Sequence, residues 1–434
     1  MAMIADPSTA DCTFTNPRTM FRELGAYDVW DVSFVSWEVN EGVLTPIRIR
    51  GFASKPASAG HGIPGIVNVH GLGGAAEPSN ALGPAALLGY FAIAVTGPGG
   101  GTDDPATRSE GRPASYDDGY RIFDTVTDPR GSWLWGHTVA AMRALTCLAT
   151  RDEVDPTRLG MTGFSGGAIA TLIASSVDER VAAAVPLSGT GAWARSVEAS
   201  ASWFHALLTE AGLDTSSPEW ATLLAEIDPL HRVGRASAHV MMVNGTTDEF
   251  FPLSSHVDTF LALNLAVERR TSLVGNFDHG CYLLTGGESS DAIAERATWH
   301  GEGAQRLWFH HFFGTDPRYA RLPAQPTVTV TDAGGFSLVA VVADPGAGGI
   351  SVERVRFWWS GDSALTFLNV ELDAQGGGLY GEVVLIPFDP TEIWFADVEY
   401  RTSGIFPERF SLSTVPHLPP GHVPAARGIT SCLP

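Results

Sequence analysis

Three residues of the chain have the types and the order needed for nucleophilic chemistry. Ser165 lies between glycines in Gly-Phe-Ser-Gly-Gly, Asp248 follows the strand-like run Val-Asn-Gly-Thr-Thr, and His279 lies in Gly-Asn-Phe-Asp-His-Gly. A serine hydroxyl attacks well only when a base takes its proton, and a carboxylate orients that base. We therefore predict Ser165 as nucleophile, Asp248 as acid and His279 as base.

The glycines around Ser165 predict a tight turn. A strand-like run ends at Gly163, and an apolar helical run begins at Ala168. A serine between a strand and a helix, with glycines two residues away on both sides, is typical of a nucleophile elbow. A plain Gly-Ser-Gly turn is the alternative, and the strand and helix on either side favour the elbow.

The acid and the base have rivals in their own segments. Glu249 and Asp278 could replace Asp248, which we prefer because it stands where a strand gives way to a loop. A solvated turn aspartate and an exposed loop histidine are the structural alternatives. The remaining candidate bases lie on predicted helices, within strands or outside the required order; they are His205, His231, His239, His300, His310 and His311.

An acyl-transfer site also needs amide donors aimed at the developing oxyanion. The backbone N–H of Gly166, directly after the nucleophile, is one predicted donor. The second should come from the glycine-rich loop His-Gly-Leu-Gly-Gly at residues 70–74, from Leu72 or, as a second choice, Gly71. A phosphate-binding loop is excluded here because no Gly-Lys-Ser/Thr follows.

Aromatic residues in two segments could form a substrate pocket. Tyr116, Trp133 and Trp135 lie in residues 102–135, and Trp193 lies in a second segment, 192–225. Aromatic side chains commonly wall small-molecule pockets. Ordinary packing of these segments against the core is the alternative.

The rest of the chain predicts an α/β fold followed by an all-β domain. Short apolar runs alternate with helical stretches, which indicates a mainly parallel sheet with helices on both faces. After Leu322-Pro the pattern alternates with period two, as in a β-sandwich or jelly roll. We therefore predict a lead-in with strands (1–60), a catalytic domain (61–322) and a C-terminal β-sandwich (323–434).

Composition excludes several partners. The chain has 48 acidic and 27 basic residues, a net charge of −21 that disfavours nucleic acid. No apolar run is long enough to span a bilayer, and no zinc or EF-hand motif is present, so we expect no metal.

The cysteines give a hint about location. A disulfide between Cys12 and Cys432 would join the termini, with two unpaired thiols as the alternative. Such a bond indicates an oxidising compartment, so we expect an extracellular or periplasmic protein. The N-terminus does not have the pattern of a signal peptide, and a cytoplasmic protein is the alternative. The oligomeric state stays open.

Several of these segments resemble the α/β-hydrolase superfamily. The matching segments are His70-Gly-Leu-Gly-Gly, Val154 to Gly167, Asn244-Gly-Thr-Thr-Asp and Asp278-His279, and they are similar to the dienelactone hydrolase, acetylxylan esterase and prolyl oligopeptidase-like branch. The resemblance covers roughly residues 60–320 and implies an acyl-enzyme and no cofactor. The β-domain resembles that of cocaine esterase and X-Pro dipeptidyl-peptidases, although Gly166 replaces their usual aromatic residue.

These observations favour a serine carboxylic-ester hydrolase that acts on a small-molecule or polymer-linked ester. A peptidase or amidase of the acyl-aminoacyl or dipeptidyl type could use the same three residues. A binding protein without catalysis, built on a hydrolase scaffold, is the third hypothesis.

Overall fold

The computed structural model describes residues 1–23, 25–101, 107–113, 121–199, 202–280, 288–344, 349–387, 389–423 and 425. The chain forms two compact units, each assembled from separate stretches of sequence. The first comprises Met1–Gly191, Ala206–Val240 and Ala262–Glu268, and the second comprises Ala192–His205, Met241–Leu261 and Arg269–Pro434. These units are assembled from separate stretches of sequence and do not test boundaries along the chain. The domain boundaries predicted after residues 60 and 322 therefore stay predictions.

The first unit contains a sheet that changes from antiparallel to parallel. Its strands are β1 (Thr13–Arg22), β2 (Gly25–Asn40), β3 (Val43–Pro56), β4 (Ile63–Val69), β5 (Phe91–Val95), β6 (Val154–Phe164) and β7 (Val181–Leu187). They follow the order β1-β2-β3-β5-β4-β6-β7. Strands β1, β2 and β3 pair in antiparallel fashion, whereas β5, β4, β6 and β7 are parallel neighbours. All five residues of β5 are buried, as expected for a parallel strand covered on both faces.

Helices cover both faces of these parallel strands. The helices whose residues fall mainly in the first unit are α1 (Ala2–Ala5), α2 (Pro78–Leu88), α3 (Trp133–Ala149), α4 (Gly166–Val177), α6 (Trp203–Glu210) and α7 (Pro218–Glu226). On β4, the Asn68 amide donates to the Asn80 carbonyl in α2 at 2.9 Å, and a Cβ on Gly65 would lie 3.3 Å from Leu148 in α3. Residues 65 and 68 point to opposite faces of a strand, so α2 and α3 lie on opposite sides.

A disulfide joins the N-terminal segment to α3. Cys12 precedes β1, Cys147 lies on the buried side of α3, and the two residues are bonded with their Cα atoms 5.7 Å apart. The predicted bond between Cys12 and Cys432 is therefore wrong. Proximity of the termini suggested the first partner, but the fold brings together residues 135 positions apart. Cys432 itself lies outside the described residues.

The second unit contains most of one further strand, the whole of another, and three helices. Strand β8 (His239–Gly245) runs into this unit, which also holds α5 (Trp193–Glu198), α8 (Leu253–Ala262), β9 (Arg269–Val274) and α9 (Ser290–Phe313). Helix α9 begins after Ser289, whose hydroxyl accepts the Ala292 N–H at 3.2 Å. It ends at Gly314, which has a φ of +62°.

Two four-stranded antiparallel sheets complete the second unit. Their strands are β10 (Thr327–Asp332), β11 (Phe336–Val342), β12 (Ile350–Ser360), β13 (Leu368–Glu371), β14 (Ala374–Gly376), β15 (Leu379–Pro387), β16 (Ile393–Thr402) and β17 (Arg409–Ser413). The strand orders are β10-β11-β15-β14 and β13-β12-β16-β17. Trp358, Phe367 and Phe395 form a buried cluster with Leu253 of α8 and Leu273 of β9. The predicted fold class, a mainly parallel α/β sheet with an added β domain, is confirmed.

In the ranges that the structure describes, no helix has the length and apolar composition needed to cross a bilayer.

Candidate active site

Ser165 occupies a sharp turn between β6 and α4. Its backbone has φ +58° and ψ −120°, a strained combination for a residue with a side chain. The turn fits only because its neighbours are glycines: a Cβ on Gly167 would lie 2.0 Å from the Val69 carbonyl oxygen, and one on Gly163 would lie 2.6 Å from the Gly167 carbonyl carbon. The geometry is that of a nucleophile elbow, and Ser165 keeps a small exposed fraction of 7%.

The glycine-rich loop after β4 lies directly against this turn. A Cβ on Gly71 would lie 3.1 Å from the Ser165 Cβ and 3.5 Å from its Oγ. A Cβ on Gly166 would lie 3.0 Å from the backbone nitrogen of Leu72. The three residues predicted as oxyanion-hole members are thus neighbours of one another and of Ser165, while their role stays a prediction.

The half-buried His70 and the buried His137 hold this loop, and neither was predicted to have a role. The Gly97 N–H donates to His70 Nε2 at 2.9 Å, so the ring proton lies on Nδ1, which donates to the Gly71 carbonyl at 2.5 Å. His137 of α3 donates from Nε2 to the His70 carbonyl at 3.2 Å. Burial lowers the pKa of both imidazoles, which favours the neutral forms that these bonds require. The sequence could have indicated the role of His70, because this residue adjoins the glycines of the loop. No motif surrounds His137, so its role could not be predicted from the sequence.

Asp248 and His279 form a hydrogen-bonded pair in the second unit. His279 Nδ1 lies 3.0 Å from Asp248 Oδ2 and 3.2 Å from Oδ1. Asp248 Oδ1 also accepts the backbone N–H groups of Phe250 and Phe251 at 2.9 and 2.8 Å. The carboxylate is 2% exposed and its orientation is fixed by these amides. It can therefore hold the imidazole in the tautomer with the proton on Nδ1.

The rival acids lie close by, with other hydrogen bonds. Glu249 accepts the backbone N–H of His279 at 3.2 Å, and Asp278 accepts that of Gly280 at 2.9 Å. Burial and the adjacent Asp248 raise the pKa of Glu249 to about 7. Burial lowers the pKa of His279, but the charge and hydrogen bond of Asp248, together with the charges of Glu249 and Asp278, outweigh it, so the net shift is upward. Among these carboxylates, Asp248 is the partner of the imidazole.

An aromatic group packs on the imidazole. The ring of Phe250 stacks on His279 with centroids 4.2 Å apart and planes inclined by 17°. Trp203 lies beyond it, 5.3 Å from the Phe250 ring. Phe250 is half-buried, whereas Trp203 is 2% exposed, so of these two rings Phe250 is the one with surface to offer a ligand.

The residues predicted to bind substrate mostly have other positions. Trp133 is buried, stacks on His137 at 4.5 Å and donates to the Pro98 carbonyl at 2.9 Å. Trp193 is fully buried and packs on Phe204 at 4.9 Å. For Trp133 and Trp193 the prediction is wrong and the packing alternative holds, because buried rings offer no surface to a ligand.

Two predicted substrate residues remain. Trp135 is half-buried and lines a cavity of about 200 Å³ together with Met1 and Ile227. Tyr116 lies outside the described residues. The described residues also contain no group of three or more His, Cys, Asp or Glu side chains placed to hold a metal ion.

Comparisons with known proteins support a common fold. Residues 138–302 match the prolyl oligopeptidase family. The acetyl xylan esterase from Paenibacillus sp. R4 has a TM-score of 0.52 at 22% identity, over 64% of this chain and 85% of that one. Acetyl xylan esterase 1 from Thermoanaerobacterium sp. JW/SL YS485 has a TM-score of 0.50 at 16% identity, over 67% and 88%. No curated protein sequence matches the chain.

The family match includes positions 165, 248 and 279, and the nucleophile elbow stands between a parallel strand and a helix. The shared fold extends to about two thirds of the chain. The protein therefore has the fold of the α/β-hydrolase superfamily with added antiparallel β-sheets, and its residues 138–302 are similar to the serine hydrolases of the prolyl oligopeptidase family.

Proposed function

We propose that the protein is a carboxylic-ester hydrolase that uses Ser165, His279 and Asp248 through an acyl-enzyme. The observation that carries the proposal is the hydrogen bond from His279 to a carboxylate fixed by two backbone amides. A neutral imidazole with its proton on Nδ1 has its basic lone pair on Nε2, which is the form that a serine nucleophile needs.

In the proposed reaction, Nε2 of His279 takes the Ser165 proton as Oγ attacks the ester carbonyl. The carbonyl oxygen becomes an oxyanion, which the backbone N–H groups of Gly166 and Leu72 stabilise. When the intermediate collapses, the C–O bond to the alcohol breaks and the imidazolium returns its proton to the leaving oxygen. Water then repeats the sequence on the acyl-enzyme and releases the acid.

A peptidase or amidase is the second candidate, because residues 138–302 match the prolyl oligopeptidase family. Both reactions would use the same groups and differ in the leaving group. We favour esters because an alkoxide or phenolate leaves a tetrahedral intermediate more readily than an amine, which must first be protonated. Comparing the turnover of matched acyl p-nitrophenyl esters and acyl p-nitroanilides distinguishes the two, and faster anilide cleavage would reject our choice.

The decisive test uses Ser165→Ala and a matched serine on the helix that follows it. Ser175 is also buried, but its hydroxyl donates only to the Leu172 carbonyl within α4. We expect Ser165→Ala to lose hydrolysis of short-chain p-nitrophenyl esters and labelling by a fluorophosphonate probe, and Ser175→Ala to keep both. Folded wild-type protein that neither turns over esters nor takes the label would instead favour a binding protein.

We also propose an oxidising compartment, extracellular or periplasmic, for this protein. The Cys12–Cys147 bond supports it, because disulfides persist mainly outside reducing cytosol. Alkylation of thiols in intact cells, followed by mass spectrometry, should find both cysteines unmodified; alkylated Cys12 and Cys147 would count against it.

A further inference from the structure

We propose that Asn276 is a positioning residue, through which the C-terminal β-sheets hold the loop that presents His279. The inference rests on the proposed function, because it assumes that His279 is the base. It assigns the added sheets a part in catalysis rather than a separate task. All of the contacts that carry it lie within the second compact unit.

Asn276 is tied to the β-domain by a two-point hydrogen bond. Its Nδ2 donates to the Phe367 carbonyl at 2.8 Å, and its Oδ1 accepts the Phe367 N–H, also at 2.8 Å. Phe367 immediately precedes β13 and belongs to the buried cluster around Trp358. A side-chain amide that satisfies both backbone groups of one residue fixes its distance and its orientation together. Asn276 is 1% exposed, so water does not compete for these bonds.

The same residue is bonded to the segment that carries the acid. The backbone N–H of Asn276 donates to Thr246 Oγ1 at 2.9 Å, two positions before Asp248. Asn276 has a φ of +58°, a conformation that asparagine tolerates better than most residues with a side chain. One residue therefore connects the loop of the base, the segment of the acid and the β-domain.

Gly275, the residue before Asn276, also contacts the β-domain, here by packing. A Cβ on Gly275 would lie only 2.5 Å from the ring of Trp358, so the loop rests directly on that indole. Arg296 of α9 donates to the Gly275 carbonyl at 2.8 Å, and its guanidinium lies 5.4 Å from the centre of the Trp358 ring. Glu288 pairs with Arg296 at 2.7 Å and accepts from Asn276 Nδ2 at 3.1 Å. These contacts involve residues three and four positions before His279.

A loop fixed at this distance controls where the imidazole stands. Misplacing a catalytic group by about 1 Å can cost about 100-fold in rate, while substrate binding by other surfaces is little affected. Loss of the Asn276 bonds should therefore lower kcat and leave KM nearly unchanged. A residue with only a structural role would reduce stability without this selective loss.

The experiment compares two variants of Asn276 in the full chain. Asn276→Asp keeps the shape and the acceptor but loses both amide donors. Asn276→Gly removes every side-chain bond and adopts the positive φ without strain, so it should fold even if the aspartate variant does not. We expect kcat for p-nitrophenyl acetate to fall about 10- to 100-fold in both, with KM within about two-fold. The rate of fluorophosphonate labelling at Ser165 should fall in parallel.

The control is Thr402→Val, which removes a buried acceptor for the Glu408 N–H, 2.9 Å away at the end of β16. It should lower the melting temperature and keep wild-type kcat. Folded Asn276 variants with wild-type kcat would overturn the inference, and so would equal losses of kcat in Thr402→Val. A wild-type protein without esterase activity or labelling would reject the proposed function instead, which separates the two failures.

Discussion

Ser165 and the Asp248–His279 pair are held in place by different means. Around Ser165 the geometry comes from missing side chains: Gly163 and Gly167 leave room for the Val69 carbonyl and for each other. Around His279 it comes from side chains that are present: Asn276 bonds to the backbone of Phe367, and Arg296 of α9 donates to the loop's own Gly275 carbonyl. The first arrangement is local in sequence, whereas Asn276 and Phe367 are 91 positions apart.

This difference has a consequence for substitutions. An elbow made by glycines leaves little room for added atoms, because a new Cβ meets backbone that cannot rotate away. A loop held by hydrogen bonds is sensitive to lost donors, because a buried partner is then left unsatisfied. Adding atoms should therefore be the more damaging change near Ser165, and removing donors or charges the more damaging change near His279.

Among the substitutions that test this comparison, Asp248→Asn should have the largest effect. The amides of Phe250 and Phe251 require an acceptor at Oδ1, so the new NH2 group must occupy the Oδ2 position, 3.0 Å from His279 Nδ1. A donor there forces the proton of the imidazole onto Nε2, where it blocks the base. We expect kcat for p-nitrophenyl acetate to fall about 10⁴-fold, with unchanged circular dichroism. If Glu249→Gln caused the larger fall, the acid would be misassigned.

Gly71→Ala should have a smaller effect, on the nucleophile side. The new methyl group would lie 3.1 Å from the Ser165 Cβ and 3.5 Å from its Oγ, in the region where the substrate carbonyl must fit. We expect kcat/KM to fall about 100-fold, as for loss of one oxyanion donor. Gly83→Ala in α2 is the control, since nothing lies within 4 Å of the new Cβ and helix propensity improves. Equal kcat/KM in the two variants would contradict the assignment of Gly71 to the oxyanion hole.

The same contrast explains what could be predicted from the sequence. The elbow and the glycine-rich loop were predictable because the glycines that leave room for these turns are neighbours in the sequence. The alternation of apolar strands and helices likewise predicted the fold class, since burial sets the period of each segment. The pairing of Asp248 with His279 followed from chain order, which the fold imposes on acid and base.

The features that the sequence analysis missed depend on contacts between distant positions. The partner of Cys12 is Cys147, which reads as an ordinary core position of an apolar helix. Trp133 and Trp193 were indistinguishable from pocket aromatics until the structure showed both buried. His137 and Asn276 carry no motif, because each is defined by the backbone groups that it meets in three dimensions.

The smallest expected effect is a change in the pH dependence of kcat/KM when Glu249 is replaced. The negative charge of Glu249 contributes to the raised pKa of His279, after the larger influence of Asp248. As the proposed base, His279 acts when neutral, so activity should be lost as the pH falls through its pKa. Because that pKa is raised, the loss should begin at a higher pH than for an ordinary histidine. Glu249→Gln removes one charge that favours the imidazolium, so the pKa should fall and the acid limb of kcat/KM should move to lower pH.

The substitution keeps an acceptor for the His279 backbone N–H, so the loop should stay in place and kcat at pH 8 should change by less than about three-fold. The measurement is kcat/KM for an ester without ionisable groups between pH 5 and 9. Thr402→Val is again the control, because it weakens the fold without altering any charge near His279. If the acid limb of Glu249→Gln coincides with that of the wild type, Glu249 is protonated throughout this pH range. Because burial raises the pKa of Glu249 to about 7, we expect the difference between the two profiles to be greatest where Glu249 is ionised, toward the alkaline end of the limb.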